Sequence, residues 1–122
     1  MPADNRIDRS ERIVYSRAWG IVTDEDLADN RAALFADPAF EPGLAQFYDF
    51  TDVTEFKVSS MALLHLSLTS RFAPTARRAV AVSSDLVFGM ARMYAILSAR
   101  EEVIQVVRDR PSAVQWLTSA RG

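Results

Sequence analysis

The 122-residue sequence contains no cysteine and a single histidine, His65. The absence of cysteine excludes disulfide bonds, thiolate nucleophiles and cysteine-based metal sites. One imidazole cannot build a histidine metal cluster, and no G-x-S-x-G segment is present to supply the serine of a catalytic triad. We expect His65 to be a partly buried structural residue in the middle of an apolar helix face.

Glycine is scarce as well, and none of the four glycines belongs to a G-x-G-x-x-G or G-x-x-x-x-G-K-[ST] phosphate-binding loop. The remaining residues offer no convergent set of acid, base and nucleophile. We therefore predict no catalytic residue, no cofactor and no metal site, and we expect that the protein is not an enzyme.

The sequence also lacks an excess of positive charge and a long apolar run. The net charge of −2 supplies no general attraction toward nucleic acid. The polar N-terminus does not resemble a signal peptide, and no segment approaches the roughly 18 apolar residues of a membrane span. We expect a cytoplasmic protein. With 49% apolar and 25% charged residues, the chain is predicted to fold as a single domain, 1–122, with its core between about residues 5 and 120.

The first part of the chain predicts a β-hairpin followed by a helix. Residues 6–8 and 12–19 contain β-favouring side chains on both sides of a short polar segment. Thr23 and Asp26 have the spacing of a capping box, which indicates that a helix begins there. Asp37 precedes a proline, and the residue before proline disfavours the helical conformation, so the helix should end at this point.

The next segment predicts a strand over residues 44–50, which ends in a carboxylate and is followed by a polar loop over residues 51–57. The acidic side chains at this strand end are Asp49, Asp52 and Glu55. Three carboxylates are suited to a hard cation such as magnesium, and solvated loop charges explain them equally well.

The remaining elements alternate regularly between helix and strand. Residues 58–72 predict a helix with one continuous apolar face: Val58, Met61, His65, Leu68 and Phe72. A buried strand over 77–84, a helix over 84–97, a strand over 101–109 and a final helix follow, the last burying Val114, Trp116 and Leu117. The order ββαβαβαβα predicts an α/β fold in which a mostly parallel sheet carries an antiparallel N-terminal hairpin. Arg71, Arg77 and Arg78 surround a predicted turn, where they would either bind an anion or remain solvated.

The helix over residues 84–97, SDLVFGMARMYAIL, is apolar in almost every direction. Two adjacent stripes form one broad side that we expect to face the sheet and to leave Phe88 uncovered: Leu86, Met90, Met93 and Leu97 in the first, and Val87, Ala91 and Tyr94 in the second. The uncovered part of this helix would be a subunit interface or the wall of a ligand cavity. The residues assigned to it are Phe88, Met90, Arg92, Met93, Tyr94 and Leu97.

The stretch DFTDVTEFKVSSMALL resembles the central strand, loop and helix start of STAS domains, the fold of anti-sigma-factor antagonists. In that family a D-S-S-G-L motif follows the loop, and a partner kinase phosphorylates its first serine. By this resemblance Ser59 matches the phosphoserine, whereas Val58 and Met61 stand where the family has aspartate and glycine. Ser59 and Ser60 are therefore candidate phosphorylation sites or helix caps, and we expect the cap role.

The whole sequence is more similar to the small bacterial STAS-like, or SpoIIAA-like, proteins, which are often described together with CRAL-TRIO (SEC14) lipid-binding domains. The similarity rests on IDRSERIVYSRAWGIVTDEDL, LFADPAF, RRAVAV, FGMARMY and AVQWL. It implies a STAS-like fold, a homodimer and a regulatory or protein-interaction role with a protein partner. The alternative is a carrier of a small apolar or lipid-like ligand.

Overall fold

The structure, a computed structural model, describes residues 2–119 of the chain, and these residues form nine elements in the order that the sequence predicts. Residues 1 and 120–122, which the predicted domain includes, lie outside the described residues. The elements are β1 (Ala3–Asp8), β2 (Ile13–Thr23), α1 (Asp24–Ala36), β3 (Ala45–Lys57), α2 (Ser60–Leu68), β4 (Arg78–Val82), α3 (Asp85–Leu97), β5 (Ile104–Val107) and α4 (Arg110–Ser119).

The five strands form one mixed sheet in which their spatial order equals their order in the chain. β1 is antiparallel to β2, and each later strand is parallel to the one before it. Right-handed crossovers that all advance in one direction place their helices on the same face of the sheet. Accordingly α1, α2 and α3 share one apolar cluster, whereas α4 packs on the opposite face. The predicted fold class is confirmed.

Local sequence signals define several of the element ends. Asp8 accepts hydrogen bonds from the Ser10 hydroxyl and the Glu11 amide, which closes the turn between β1 and β2. Thr23 caps α1: its hydroxyl accepts from the Asp26 amide, and the Asp26 carboxylate accepts from the Thr23 amide. This reciprocal arrangement is the predicted capping box.

The predicted loop over residues 51–57 is wrong, because these residues continue β3 as far as Lys57. The strand extends because β2 also continues past Gly20 and pairs with it up to the Thr23–Lys57 contact. Two register shifts interrupt this pairing, and Gly20 lies at a φ of +66°, a left-handed conformation that glycine adopts without steric cost. The partner strand thus overrides the polar composition of the segment.

The predicted apolar face of the second helix is also wrong. α2 ends at Leu68 rather than Phe72, and Met61 and Leu68 are each 73% exposed. His65 is exposed as well, whereas Leu63 and Leu66 are buried in the core. The sequence of this helix is apolar on several sides, so its periodicity alone does not select one face.

The predicted sheet-facing side of α3 is confirmed only in part. Met90 and Met93 of the first stripe and Val87 and Tyr94 of the second contact the core, whereas Leu86 is 62% exposed. Phe88 is half-buried against the same core, and the guanidinium of Arg108 lies 4.2 Å from its ring centroid. The expectation that Phe88 is uncovered is therefore wrong.

The α4 face of the sheet is built from small residues. Ala79, Ala81 and Ala113 are completely buried there, which allows the helix to lie close to the strands. Leu117 is buried as predicted, whereas Val114 is exposed and Trp116 is half-buried.

Candidate functional site

Four neighbouring strands each place a polar side chain on the face that α1, α2 and α3 cover. These side chains are Asn5, Ser16, Gln46 and Arg78, and we call them the polar row. The Ser16 hydroxyl donates to Asn5 Oδ1 at 2.7 Å, Gln46 Nε2 donates to Ser16 Oγ at 2.9 Å, and Arg78 Nε donates to Gln46 Oε1 at 3.2 Å. Strand register produces this row, because Asn5 lies opposite Ser16 and Gln46 lies opposite Arg78.

The β1 end of the polar row continues into α1 through Asn30, which is 4% exposed. Asn5 Nδ2 donates to both the backbone and side-chain oxygens of Asn30, each at 3.0 Å. Asn30 Nδ2 in turn donates to the Tyr48 hydroxyl at 2.7 Å. Burial raises the pKa of Tyr48 to about 12, although the Asn30 hydrogen bond acts in the opposite direction. Tyr48 is therefore a neutral phenol at physiological pH.

The other end of the polar row meets a second guanidinium, that of the half-buried Arg31. Arg31 on α1 and Arg78 on β4, which we call the arginine pair, both donate through Nη2 to the hydroxyl of Tyr94 on α3, at 2.7 Å and 3.1 Å. Arg31 Nη1 also donates to the carbonyl of Leu66 and to Thr69 Oγ1. Three elements distant in the sequence thus converge on one phenol oxygen.

No carboxylate neutralises the arginine pair among the described residues. Arg78 is only 7% exposed, and its Nη1 has no hydrogen-bond partner in residues 2–119. Burial and the charge of Arg78 hold the pKa of Arg31 below its usual value, against the opposing influence of Tyr94. Burial alone would raise the pKa of Tyr94, but the charges of Arg78 and Arg31 outweigh it and lower that pKa.

The arginine pair forms part of the wall of a cavity between the sheet and helices α1, α2 and α3. The cavity has a volume of about 90 Å³. Its surface is mostly apolar, with contributions from Leu27, Phe50, Leu63, Val80, Val87 and Met90. The site therefore combines an apolar space with two cations and a phenol at one side.

The predicted acidic group lies away from this cavity, on the α4 side of the sheet. Arg110 on α4 bonds to both Asp49 and Asp52, the latter at 2.9 Å, and Lys57 lies 3.8 Å from Glu55. Burial opposes ionisation of Asp49, but hydrogen bonds from Thr51 and Arg110 hold its pKa below the usual value. In residues 2–119, no group of three acidic or histidine side chains is placed to hold a metal ion.

Ser59 is the N-cap of α2. Its hydroxyl accepts from the Ala62 amide at 3.1 Å and donates to Asp24 Oδ2 at 2.8 Å, and its amide donates to Asp24 Oδ1. These bonds join the start of α2 to the start of α1. Ser60 is the exposed first residue of the helix.

The six residues singled out on the third helix separate in the structure. Met90 and Tyr94 line the cavity, whereas Arg92 and Leu97 are exposed. Phe88 and Met93 are half-buried and pack against the core. The structure therefore brings together only two of the predicted interface or ligand-wall residues at the cavity.

The three arginines near the predicted turn do not form one site. Arg78 enters the cavity, and Arg77 lies on the opposite face of the sheet with its guanidinium 3.9 Å from the Trp116 ring centroid. Arg71 is exposed beside Phe35.

Sequence reasoning missed most residues of the polar row and most polar residues at the cavity: Asn5, Ser16 and Gln46 in the row, and Asn30 and Arg31 on α1. A signal for two of them was present in the strand alternation. Ser16 occupies the phase of Val14 and Ala18, and Gln46 occupies the phase of Tyr48 and Phe50, so both belong to a buried face.

The architecture defines the class of protein as an α/β domain with one mixed five-stranded sheet and four helices. The chain is similar to the crystal structure of an uncharacterised protein of the DUF3478 family with a SpoIIAA-like fold from Shewanella loihica PV-4. The TM-score is 0.63 at 21% identity, and the match covers 94% of this chain and 93% of that one. At this identity the likeness shows the fold, and the chain therefore has a SpoIIAA-like fold.

Neither the protein-family profiles nor the curated proteins contain a match to this chain. Among residues 2–119, no helix has the length and apolar character needed to cross a bilayer.

Proposed function

We propose that the protein is a non-enzymatic, STAS-like regulatory module that binds a small, largely apolar ligand between the sheet and helices α1, α2 and α3. One observation carries this proposal: an apolar cavity whose wall includes the convergent polar groups of Arg31, Arg78 and Tyr94. Apolar space with a few oriented polar groups is the usual composition of a small-molecule site.

The size of the cavity restricts the ligand. Its volume of about 90 Å³ is smaller than the roughly 150 Å³ cavity that holds benzene in an engineered protein. Cavities that enclose drug-sized ligands measure about 300–1,000 Å³. Of the ligand classes expected from the sequence, a small molecule fits this space, whereas a full lipid chain does not.

The chemistry of the cavity wall supports binding rather than turnover. Its ionisable side chains are Arg31, Arg78, Tyr48 and Tyr94, and no carboxylate, imidazole or thiol is among the described residues that line it. Proton transfer near neutral pH most often uses histidine or a carboxylate. The wall instead offers hydrogen-bond donors and a cationic environment.

The position of α3 supports a regulatory role for the ligand. Met90 and Tyr94 line the cavity from this helix, whereas Leu86 and Ile96 are exposed on its outer surface. If α3 can adopt two positions and the ligand binds one of them more tightly, ligand binding would shift α3 toward that position. It would thereby change the outer surface of α3, which is open to other proteins.

A direct binding experiment tests this function. Amide chemical shifts of ¹⁵N-labelled protein are followed during titration with 1-butanol, butyramide and butyrate. We expect saturable shifts at cavity positions such as Val80 and Tyr94 with at least one probe. Ala91→Leu, which places a larger side chain at the cavity wall, should abolish these shifts, whereas Ala33→Leu on the exposed side of α1 should preserve them. The absence of a saturable response to all three probes would contradict the proposal.

The second candidate function is protein interaction, including the expected homodimer. It is favoured by five large apolar side chains exposed on the described parts of α2 and α3: Met61, Leu68, Leu86, Ile96 and Leu97. Light scattering coupled to gel filtration measures the association state directly. A dimer that Leu86→Glu dissociates and that Ala33→Glu leaves intact would support this function, and a 13.6 kDa monomer at tens of micromolar would contradict self-association.

A further inference from the structure

The cavity contains positive charge that no residue of its wall balances. We infer that its ligand is a small monocarboxylate with a short apolar body, held through its carboxylate by Arg78 Nη1 and the Tyr94 hydroxyl beside Arg31. This inference rests on the proposed function, because it takes the cavity as the ligand site. It goes further in assigning the chemical class of the ligand.

The arginine pair carries two positive charges without a carboxylate partner among residues 2–119. Some exposed arginines do have such partners: Arg12 pairs with Glu41, and Arg108 pairs with Asp85. Arg78 is buried and Arg31 is half-buried. Burying a charge is costly unless it is paired, and breaking a buried pair by removing one partner leaves that cost uncompensated. A bound anion supplies the missing partner.

Two hydrogen-bond donors at Arg78 and Tyr94 lack acceptors within residues 2–119. Arg78 lines the cavity, and its buried Nη1 has no hydrogen-bond partner among the described residues. The Tyr94 oxygen already accepts from Arg31 and Arg78, and the hydroxyl proton of Tyr94 meets no acceptor among the described residues. A guanidinium only donates, and a carboxylate only accepts. An ionised carboxylate therefore complements both of these donors. An amide group fits less well, because its N–H hydrogens are themselves donors.

The apolar remainder of the cavity decides what the carboxylate is attached to. Phe50, Leu63, Val80 and Met90 offer no hydrogen bonds to the rest of the ligand. A strongly hydrated inorganic anion such as phosphate would lose its hydration there, and the apolar side chains would not replace the lost hydrogen bonds. A second carboxylate on the ligand would also lack a partner. These restrictions favour one carboxylate on a body smaller than a benzene ring.

Paired titrations of the intact protein with butyrate and its neutral isostere butyramide test the inference. We expect butyrate to bind the wild-type chain at least about tenfold more tightly, which is the effect of one charge-assisted contact. Arg78→Met should weaken butyrate binding more than butyramide binding and so reduce this preference. Arg77→Met is the matched control, because the adjacent arginine lies on the opposite face of the sheet, and it should leave both affinities unchanged.

The outcomes separate this inference from the function on which it rests. Equal affinities for butyrate and butyramide would overturn the carboxylate assignment and leave the cavity as a ligand site. Failure of butyrate, butyramide and 1-butanol to bind would overturn both proposals.

A measurement on the wild-type chain keeps the test valid if Arg78→Met does not fold. A carboxylate beside Tyr94 adds negative charge and offsets the arginines, so saturating butyrate should raise the pKa of the Tyr94 phenol. Butyramide should leave it unchanged. The titration is followed by NMR of ¹³Cζ-labelled tyrosine, with Tyr94→Phe used to assign the signal. An unchanged Tyr94 titration in saturating butyrate would overturn the assignment.

Discussion

Replacing Tyr94 by phenylalanine tests whether one hydroxyl organises the interior site. The substitution keeps the ring that packs against the core. It removes only the oxygen that accepts hydrogen bonds from both Arg31 and Arg78. Among residues 2–119, this hydroxyl is the single point at which α1, β4 and α3 share a polar contact. Its loss leaves two guanidinium donors without that acceptor.

The expected destabilisation follows from the two bonds that are lost. A hydrogen bond to a charged group contributes about 1.5–3 kcal/mol, so the two together give an upper limit of about 3–6 kcal/mol. The actual loss should be smaller, because Arg31 keeps its bonds to Leu66 and Thr69 and is only half-buried. We expect the free energy of unfolding to fall by about 2–4 kcal/mol.

Urea unfolding followed by the fluorescence of Trp19 and Trp116 measures this change. Tyr15→Phe is the matched control, because the Tyr15 hydroxyl donates one bond to Glu11 at a partly exposed site. We expect the control to lose only about 0.5–1.5 kcal/mol, because its single bond to a carboxylate is partly exposed and water can replace it. Equal losses in the two variants would refute the reasoning, since they would mean that the buried arginines do not depend on Tyr94.

Three further predictions concern the cap, the glycines and pH. Ser59→Ala should cost about 1 kcal/mol in urea unfolding, because the cap of α2 is lost; no measurable cost would contradict the cap role. Gly20→Ala should destabilise the protein by about 1–2 kcal/mol, because φ is positive there. Gly89→Ala inside α3 should stabilise it by about 0.5–1 kcal/mol, because nothing lies within 4 Å of the added carbon. Thermal melts that show stability changes of the same sign for both variants would be inconsistent with the structure. The pKa of Tyr48, raised to about 12, means that its contribution to stability is present below pH 10 and is lost between about pH 10 and 12. The lowered pKa of Tyr94 has the opposite effect, adding stability as pH rises through that pKa towards about 10. Tyr48→Phe should therefore remove a late step from the absorbance titration at 295 nm, and an unchanged titration curve would disprove this assignment.

Element order and local chain ends could be predicted from the sequence because they depend on neighbouring residues. The capping box of Thr23 and Asp26 acts within one helical turn, and the alternation of strands with helices limits the sheet to few topologies. Ser59 likewise stands directly before its helix. These signals were sufficient for the α/β order and the mostly parallel sheet.

The extent of β3 and the orientation of α2 and α3 depended on distant partners. From their own composition residues 51–57 are predicted to be a loop. They form a strand because they pair with β2, and this pairing depends on both segments. Apolar residues surround much of α2 and α3, so only the sheet and neighbouring helices select Leu66 and Val87 for burial over Leu68 and Leu86. Periodicity cannot make this choice when several faces are equally apolar.

The sequence by itself determined that the chain contains the residues of the polar row, the arginine pair and Tyr94, and it determined the strand alternation that turns Ser16 and Gln46 inward. Only the tertiary structure decided that Arg31 and Tyr94, 63 positions apart, meet at one oxygen with Arg78. From sequence alone an arginine is expected to be solvated. Whether its guanidinium is buried depends on which elements cover it in the fold. Here Arg31 on α1 and Arg78 on β4 both line an apolar space that α3 helps to cover.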